Sequence, residues 1–311
     1  MTLKGRDLLT LKDWSSAEIL QVLEVAEKLK RETKEGKFHP ILKGKTLGMI
    51  FQKASTRTRI SFEVAMWQLG GYALFLNPQD LQMGRGEPIK DTARVLSRYL
   101  EGIMIRTFFH EEVEELAFHA HVPVINGLTD SFHPCQALAD LLTVKEQKGR
   151  LKGLKVTYLG DGNNVAHSLI LACVRVGINV SVASPPGYEP DEKIVEYARN
   201  EGLDQGTRVI VTHDPGEALQ EADAAYTDVW ASMGQEGEQK ERLKAFKPYQ
   251  LNKEMLKKAE PDAVVLHCLP AHREEEITNE VIEGPQSVVF DQAENRLHVQ
   301  KAVLALVMGD N

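Results

Sequence analysis

Cysteine is scarce in this chain of 311 residues: there are three, Cys135, Cys173 and Cys268, far apart and forming no CxxC pair. That spacing argues against a disulfide framework and a structural zinc site, and it fits a reducing cytoplasm. Long apolar runs are missing too. No uninterrupted apolar stretch reaches the ~18 residues of a membrane span, so none is expected. The start "MTLKGRDLLTLKDW" lacks the apolar segment of a secretory signal. Nor is there an excess of positive charge. Lys and Arg number 37 against 45 Asp and Glu, a net −8 that disfavours nucleic acid as a partner. Any anion bound here is held by a local arrangement. Repeats of solenoid period and low-complexity segments are absent as well.

What is present is core-forming material: 42% hydrophobic and 26% charged residues, enough for a globular protein with an ample interior. The length predicts two domains of roughly 150 residues each. "SAEILQVLEVAEKLKRET" (16–33) has the apolar spacing of an amphipathic helix, with Ser15 or Ser16 as its cap. Strands and helices then alternate. Strands are expected at 45–51, 72–76, 102–108 and 122–126, with helices at 56–69, within 91–101, at 110–120 and at 134–149. A second series is expected with strands within 151–162 and at 178–183, 207–212, 224–229 and within 261–273. Its helices are expected at 164–176, 191–201 and 215–222, and the chain ends as a strand and a long helix in 287–308. Such alternation predicts an α/β fold of two doubly wound parallel sheets, split near residue 150.

Ligands of open parallel sheets lie beyond the carboxyl ends of the strands. The unusual polar residues of this chain all follow strands: 53–59, Arg106, His133, 161–164, 228–233 and 267–273. A single crevice would collect them. In "STRTR" (55–59), Ser55 is a good N-cap, and Thr56, Arg57 and Thr58 fall in the first helical turn, where unpaired N–H groups and the helix dipole favour an anion. Two hydroxyls and a guanidinium add donors suited to phosphate. Arg57 and Arg59 point to nearly opposite sides, so Arg57 is assigned to the ligand and Arg59 to a structural ion pair. A capped helix with solvated arginines has the same pattern. The glycine-rich phosphate loop of nucleotide-binding proteins is lacking.

"DSFHPCQALAD" (130–140) puts Pro134 at a first helical position beside His133 and Gln136, both able to donate to a carbonyl; a buried capping histidine fits equally. "GDGNNVAHS" (160–168) resembles a dinucleotide fingerprint, but Val165 stands where the third glycine belongs. Its asparagines suit an amino-acid carboxylate or ammonium. Asp228 could hold a cationic group. Cys268 is a thiol at a strand end, where buried cysteines are usually inert. Trp230 and Met233 read by composition as core.

Together these segments resemble the aspartate/ornithine carbamoyltransferase family. The first half matches through "STRTRISFE", "RTF" (106–108) and "HPCQ" (133–136). The second half resembles the family's ornithine-specific branch through "GDGNN", "DVWASMGQE", "HCLPAHR" and "AENR" (293–296). The match spans essentially the whole chain in order and spacing. It departs mildly at Cys135, where Thr is frequent, and at Glu274, where Gly is common.

The resemblance implies a carbamoyl phosphate-binding domain at 1–150. It implies an ornithine-binding domain at 151–311 whose last helix packs back on the first. It implies that Ser55, Thr56, Arg57 and Thr58 bind the phosphate of carbamoyl phosphate, that Arg106, His133 and Gln136 hold its carbamoyl end, and that Cys268, Leu269 and Arg296 complete the site. Asn164, Asp228, Ser232 and Met233 would bind L-ornithine, with Arg106, His133, Asp228 and Cys268 nearest the chemistry. Gln82, in "DLQMGRGEP", would enter the site of a neighbouring subunit of a homotrimer or a multiple of trimers. The implied reaction is attack of the ornithine δ-amine on carbamoyl phosphate, giving citrulline and phosphate with no cofactor and no metal. The segment 231–240, with Ala231, Ser232 and Gly234, is the expected lid.

Overall fold

The computed structural model describes residues 2–231 and 236–310; the side chain of Glu236 is outside the description. Two compact units divide the chain. The first comprises Met1–Ala139 with Glu294–Asn311, the second Asp140–Ala293.

The first unit begins with α1 (Ser16–Lys34), started by a reciprocal capping box in which Glu18 N–H donates to Ser15 Oγ and Ser15 N–H to the Glu18 carboxylate. Four parallel strands follow, β1 (Thr46–Phe51), β2 (Tyr72–Leu76), β3 (Gly102–Arg106) and β4 (Val124–Leu128), in the spatial order β2-β1-β3-β4. The connecting helices are α2 (Thr56–Gln68), α3 (Ile89–Leu96) and α4 (His110–His119). Ile50, Ile103, Ile105 and Val124 from the strands bury against Val113 and Leu116 of α4 and Ala93 of α3. Runs of β-branched and aliphatic residues are what a parallel strand covered on both faces requires. Helix α5 (Pro134–Lys148) starts in this unit and ends in the next.

The second unit is a five-stranded parallel sheet ordered β7-β6-β5-β8-β9, from β5 (Lys155–Leu159), β6 (Asn179–Ala183), β7 (Val209–Thr212), β8 (Ala224–Thr227) and β9 (Val264–His267). Its helices are α6 (Asn164–Arg175), α7 (Glu192–Gln205), α8 (Pro215–Leu219), α9 (Gln239–Phe246), α10 (Lys253–Leu256) and α11 (Asn279–Ile282). Helix α12 (Val289–Met308) closes the chain and belongs mostly to the first unit. The expected strand at the start of 287–308 reduces to one bridge between Ser287 and Val265, after which the chain turns straight into α12. Helices α9, α10 and α11 have no counterpart among the elements expected from the sequence.

Each sheet reverses its winding once, between β1 and β3 in the first unit and between β5 and β8 in the second. Loops at such reversals diverge and leave a crevice beyond the strand ends. At the first reversal Phe51 pairs with Arg106; at the second Leu159 pairs with Thr227, which in turn pairs with His267. The segments "KASTRTR" and "RTF" therefore leave the first sheet at its reversal, "GDGNN" and "TDVW" leave the second at its own, and "HCLP" leaves the neighbouring edge strand β9.

Candidate active site

In the first unit the polar residues converge at the starts of α2 and α5. Ser55 is the N-cap of α2, accepting Thr58 N–H at 3.2 Å. No acidic residue occupies that first turn, so nothing in α2 itself competes with an anion there. Arg59 pairs with Glu63 at 3.0 Å and lies over the Phe75 ring, the structural role expected of it. Arg57 is half-buried and Thr58 fully buried.

Arg296 of α12 gathers the rest. Its guanidinium donates to Thr58 Oγ1 at 3.1 Å, to Gln136 Oε1 at 2.7 Å and to His133 Nε2 at 3.5 Å. All four side chains are buried. An arginine only donates, so His133 Nε2 presents a lone pair and the ring proton lies on Nδ1. Burial, with Arg296, Arg106 and Arg57 around the ring, pushes the His133 pKa well below its usual value. The imidazole is thus neutral, a hydrogen-bond donor among three cations. Cys135 beside it is buried, with its thiol raised to about 11, and is inert filler.

The depressed pKa has a stability consequence. The unfolded His133 takes up a proton near pH 6.5 and the folded one does not, so stability falls as pH drops below about 6.5. His133→Gln is expected to flatten the pH dependence of thermal unfolding between about pH 4 and 6. A slope identical to that of the parent chain would contradict the neutral, buried imidazole.

In the second unit Asp228 is the organising group. Its Oδ1 accepts the Cys268 thiol at 2.9 Å and its Oδ2 accepts Asn163 Nδ2 at 3.1 Å. Asn163 caps α6 with the other end of its amide, accepting Val165 N–H and Ala166 N–H. One asparagine thereby fixes both the helix start and the carboxylate. Asn164 is the next residue, the first of α6 and half-buried. Asp228, His267 and Cys268 form a set whose ligand types could hold a metal, which the sequence did not signal. Both ring nitrogens of His267 are engaged by Glu276 and by Leu269 N–H, which takes it out of such a set. Leu269 itself adopts a left-handed conformation, φ 58°, costing roughly 1–3 kcal/mol in a non-glycine residue.

The second glycine of "GDGNN", Gly162, has a reason of its own. A β-carbon on Gly162 would lie 2.1 Å from the Pro190 nitrogen, so the turn packs backbone against backbone. That close approach accounts for the glycine without a dinucleotide.

Other expected residues are placed differently. Thr56 is exposed at the start of α2, and Gln82 is exposed in the 3-10 turn Gln82–Arg85. Arg106 is buried at the end of β3. Ser232 and Met233 lie outside the described residues, as does most of the expected lid. Trp230 is buried core. Two residues were missed. Lys53 is buried over the Phe108 ring, its pKa lowered by burial, with Asp130 and Arg106 in electrostatic reach. Arg242 of α9 is also buried. It pairs with Asp161 at 3.1 Å and donates to the Trp230 carbonyl at 2.9 Å, linking both flanks of "SMGQ" to the "GDGNN" turn. Burial raises Asp161 to about 6 against the pull of that arginine. Lys53 sat in plain view inside "KASTRTR"; Arg242 carried no local signal.

Comparison with known proteins assigns these two halves. The carbamoyl-P binding domain model of aspartate/ornithine carbamoyltransferase matches residues 6–146, and the Asp/Orn binding domain model matches 152–307. The ornithine carbamoyltransferase of Thermococcus kodakarensis is 60% identical over 309 residues, covering 99% of this chain and 98% of its own. That of Bacillus subtilis is 59% identical over 307 residues, covering 99% and 95%. The solved ornithine carbamoyltransferase of Pyrococcus furiosus superposes with a TM-score of 0.97 at 60% identity, covering 99% of this chain and 98% of that one. This chain belongs to the aspartate/ornithine carbamoyltransferase family.

Proposed function

We propose that the chain transfers the carbamoyl group of carbamoyl phosphate to the δ-amine of L-ornithine, giving L-citrulline and phosphate. The observation that carries this reading is the neutral His133 held with Thr58 and Gln136 around the Arg296 guanidinium, at the N-termini of two helices. That arrangement suits a small, doubly charged anion with a carbonyl at one end. The ornithine-specific "SMG" and "HCLP" segments favour ornithine over other amines.

Carbamoyl phosphate is read as bound by the first domain (1–150), with its phosphate on Ser55, Thr56, Arg57 and Thr58 at the start of α2. Its carbamoyl oxygen receives hydrogen bonds from Arg106, His133 and Thr58. Such donors, aimed at an oxygen that gains negative charge in the tetrahedral intermediate, are each worth about 3 kcal/mol of barrier. The second domain (151–311), whose C-terminal helix packs back on the first, holds ornithine through Asn164, Asp228, Ser232 and Met233. An alkylammonium has a pKa of about 10.4, so the amine sheds a proton before attack. Asp228 and Cys268 orient the nitrogen, and Leu269 borders it. The new C–N bond forms, the C–O bond to phosphate breaks, and the departing phosphate, steadied by Arg57, takes the proton. Colorimetric detection of citrulline from ornithine and carbamoyl phosphate tests the reading; no citrulline above the enzyme-free rate would end it.

The catalytic unit is read as a homotrimer in the cytoplasm. Trp67 on α2 and Tyr72 on the edge strand β2 are 71% and 63% exposed, and Ile60 lies on the same face of α2 as Trp67, an apolar strip that a second copy would cover. Gln82, exposed nearby in sequence, would complete a neighbour's site. Gln82→Ala and Arg57→Gly chains are each expected to be nearly inactive, yet to regain activity when refolded together, because some mixed sites receive both native residues. Silence of the mixture would remove Gln82 from a shared site. Among the described residues no helix is long and apolar enough to cross a membrane.

A further inference from the structure

Strand β9 ends at His267, and the next residue is the Cys268 thiol. His267 is fully buried and held at three points. Its backbone N–H donates to Gln292 Oε1 at 2.8 Å, its Nε2 lies 3.0 Å from Glu276 Oε1, and its Nδ1 accepts Leu269 N–H at 2.9 Å. The last contact settles the tautomer. A backbone N–H only donates, so Nδ1 presents its lone pair and the ring proton sits on Nε2, facing the carboxylate. Glu276 is itself fully buried, and the same oxygen accepts His272 N–H at 2.6 Å. Gln292 is anchored in turn on Asp140 at 2.6 Å.

The bond from the His267 side chain to Leu269 N–H closes a turn of three residues, much as an asparagine closes an Asx turn. Cys268 is the middle residue of that turn. Leu269 holds its left-handed φ within it, and Cys268 Sγ meets Asp228.

We propose that the buried His267–Glu276 pair is a positioning device for the amine-handling site. Glu276 commits the imidazole to its Nε2–H tautomer, Nδ1 then locks Leu269 N–H, and the locked turn aims the Cys268 thiol at Asp228. Neither side chain of the pair reaches solvent, so both act through the turn. The proposal rests on the reading of Cys268 and Asp228 as partners of the ornithine amine.

Two substitutions at His267 separate positioning from bulk. Asn keeps an acceptor for Leu269 N–H, and Leu does not. His267→Leu is expected to lower kcat about 100-fold with the KM for carbamoyl phosphate within about twofold, and to change Cys268 alkylation by iodoacetamide at least about fivefold. His267→Asn is expected to stay within about fivefold of the parent in both. Cys135 and Cys173 are buried, so Cys268 is the thiol the reagent meets. Equal impairment of the two variants, or a folded His267→Leu chain that behaves like the parent, overturns the proposal. Should His267→Leu fail to fold, 15N spectra of labelled histidine decide. The parent is expected to show Nδ1 unprotonated and Nε2 protonated, and Glu276→Gln to show mixed tautomers with a lower kcat. A protonated Nδ1 in the parent, or a Glu276→Gln chain unchanged in both respects, overturns it. Alkylation and spectra need no substrate. A parent chain that makes no citrulline therefore refutes the carbamoyl-transfer reading and leaves these two readouts to judge the turn.

Discussion

Replacing Asp228 by Asn is expected to lower the kcat of citrulline formation by about 10²–10³-fold and to raise the KM for ornithine, with carbamoyl phosphate affinity within about twofold of the parent. The substitution is nearly isosteric, so packing changes little. The electrostatics change in two ways. The negative charge that would hold an alkylammonium disappears. In addition, one of the two carboxylate oxygens becomes an NH₂ group, so either the Cys268 thiol or the Asn163 amide then faces a donor instead of an acceptor. A hydrogen bond to a charged group contributes roughly 1.5–3 kcal/mol, and misorienting the attacking nitrogen adds to that. Steady-state kinetics in both substrates, with a separate measurement of carbamoyl phosphate binding, distinguishes the cases. Ornithine kinetics that survive the change would move amine recognition elsewhere.

The second large effect belongs to Arg296. Arg296→Met should reduce kcat/KM for carbamoyl phosphate by about 10³-fold, the scale of losing a preorganised cationic donor of about 4 kcal/mol. Thermal stability should hold or rise. Burial lowers the His133 pKa first, and the guanidiniums of Arg296, Arg106 and Arg57 lower it further, so like charges are held close together in this cluster. Removing one cation relieves their repulsion, and the pKa of His133 should move upward. Activity and stability would thus move in opposite directions, a pattern expected of a residue kept for binding and not for folding. A parallel loss of both would instead make Arg296 a structural keystone.

The fold was largely legible because its signals are local. β-Branched runs ending in polar turns mark parallel strands, and each expected strand of the two main series has a counterpart. The error at residues 287–290 came from "SVVF", where β-branched residues advertise a strand but a single bridge to Val265 is all the sheet accepts before α12 starts. The site was legible only in part. Ser55 as a cap and Arg59 with Glu63 are short-range facts that spacing reveals. Arg296 reaches Gln136 across 160 residues, and Arg242 reaches Asp161 from another helix. Such pairs are tertiary, so no periodicity announces them. Resemblance to a family supplied Arg296; nothing supplied Arg242 or the role of Asn163 as cap and carboxylate anchor at once.

The placement of the chain's last residues has a consequence for how the molecule is made. Glu294–Asn311 belong to the unit whose other residues are the first to be synthesised, and they bring both Arg296 and the carbonyls of Val307 and Met308 that Gly5 N–H and Lys45 Nζ bond to. A ribosome releases the ornithine half complete, while the carbamoyl phosphate half waits for its final helix. Domains generally fold as they emerge, the earlier one first. Here the earlier unit is finished last: until residues 294–310 have emerged, Thr58, His133 and Gln136 are without the Arg296 guanidinium that joins them.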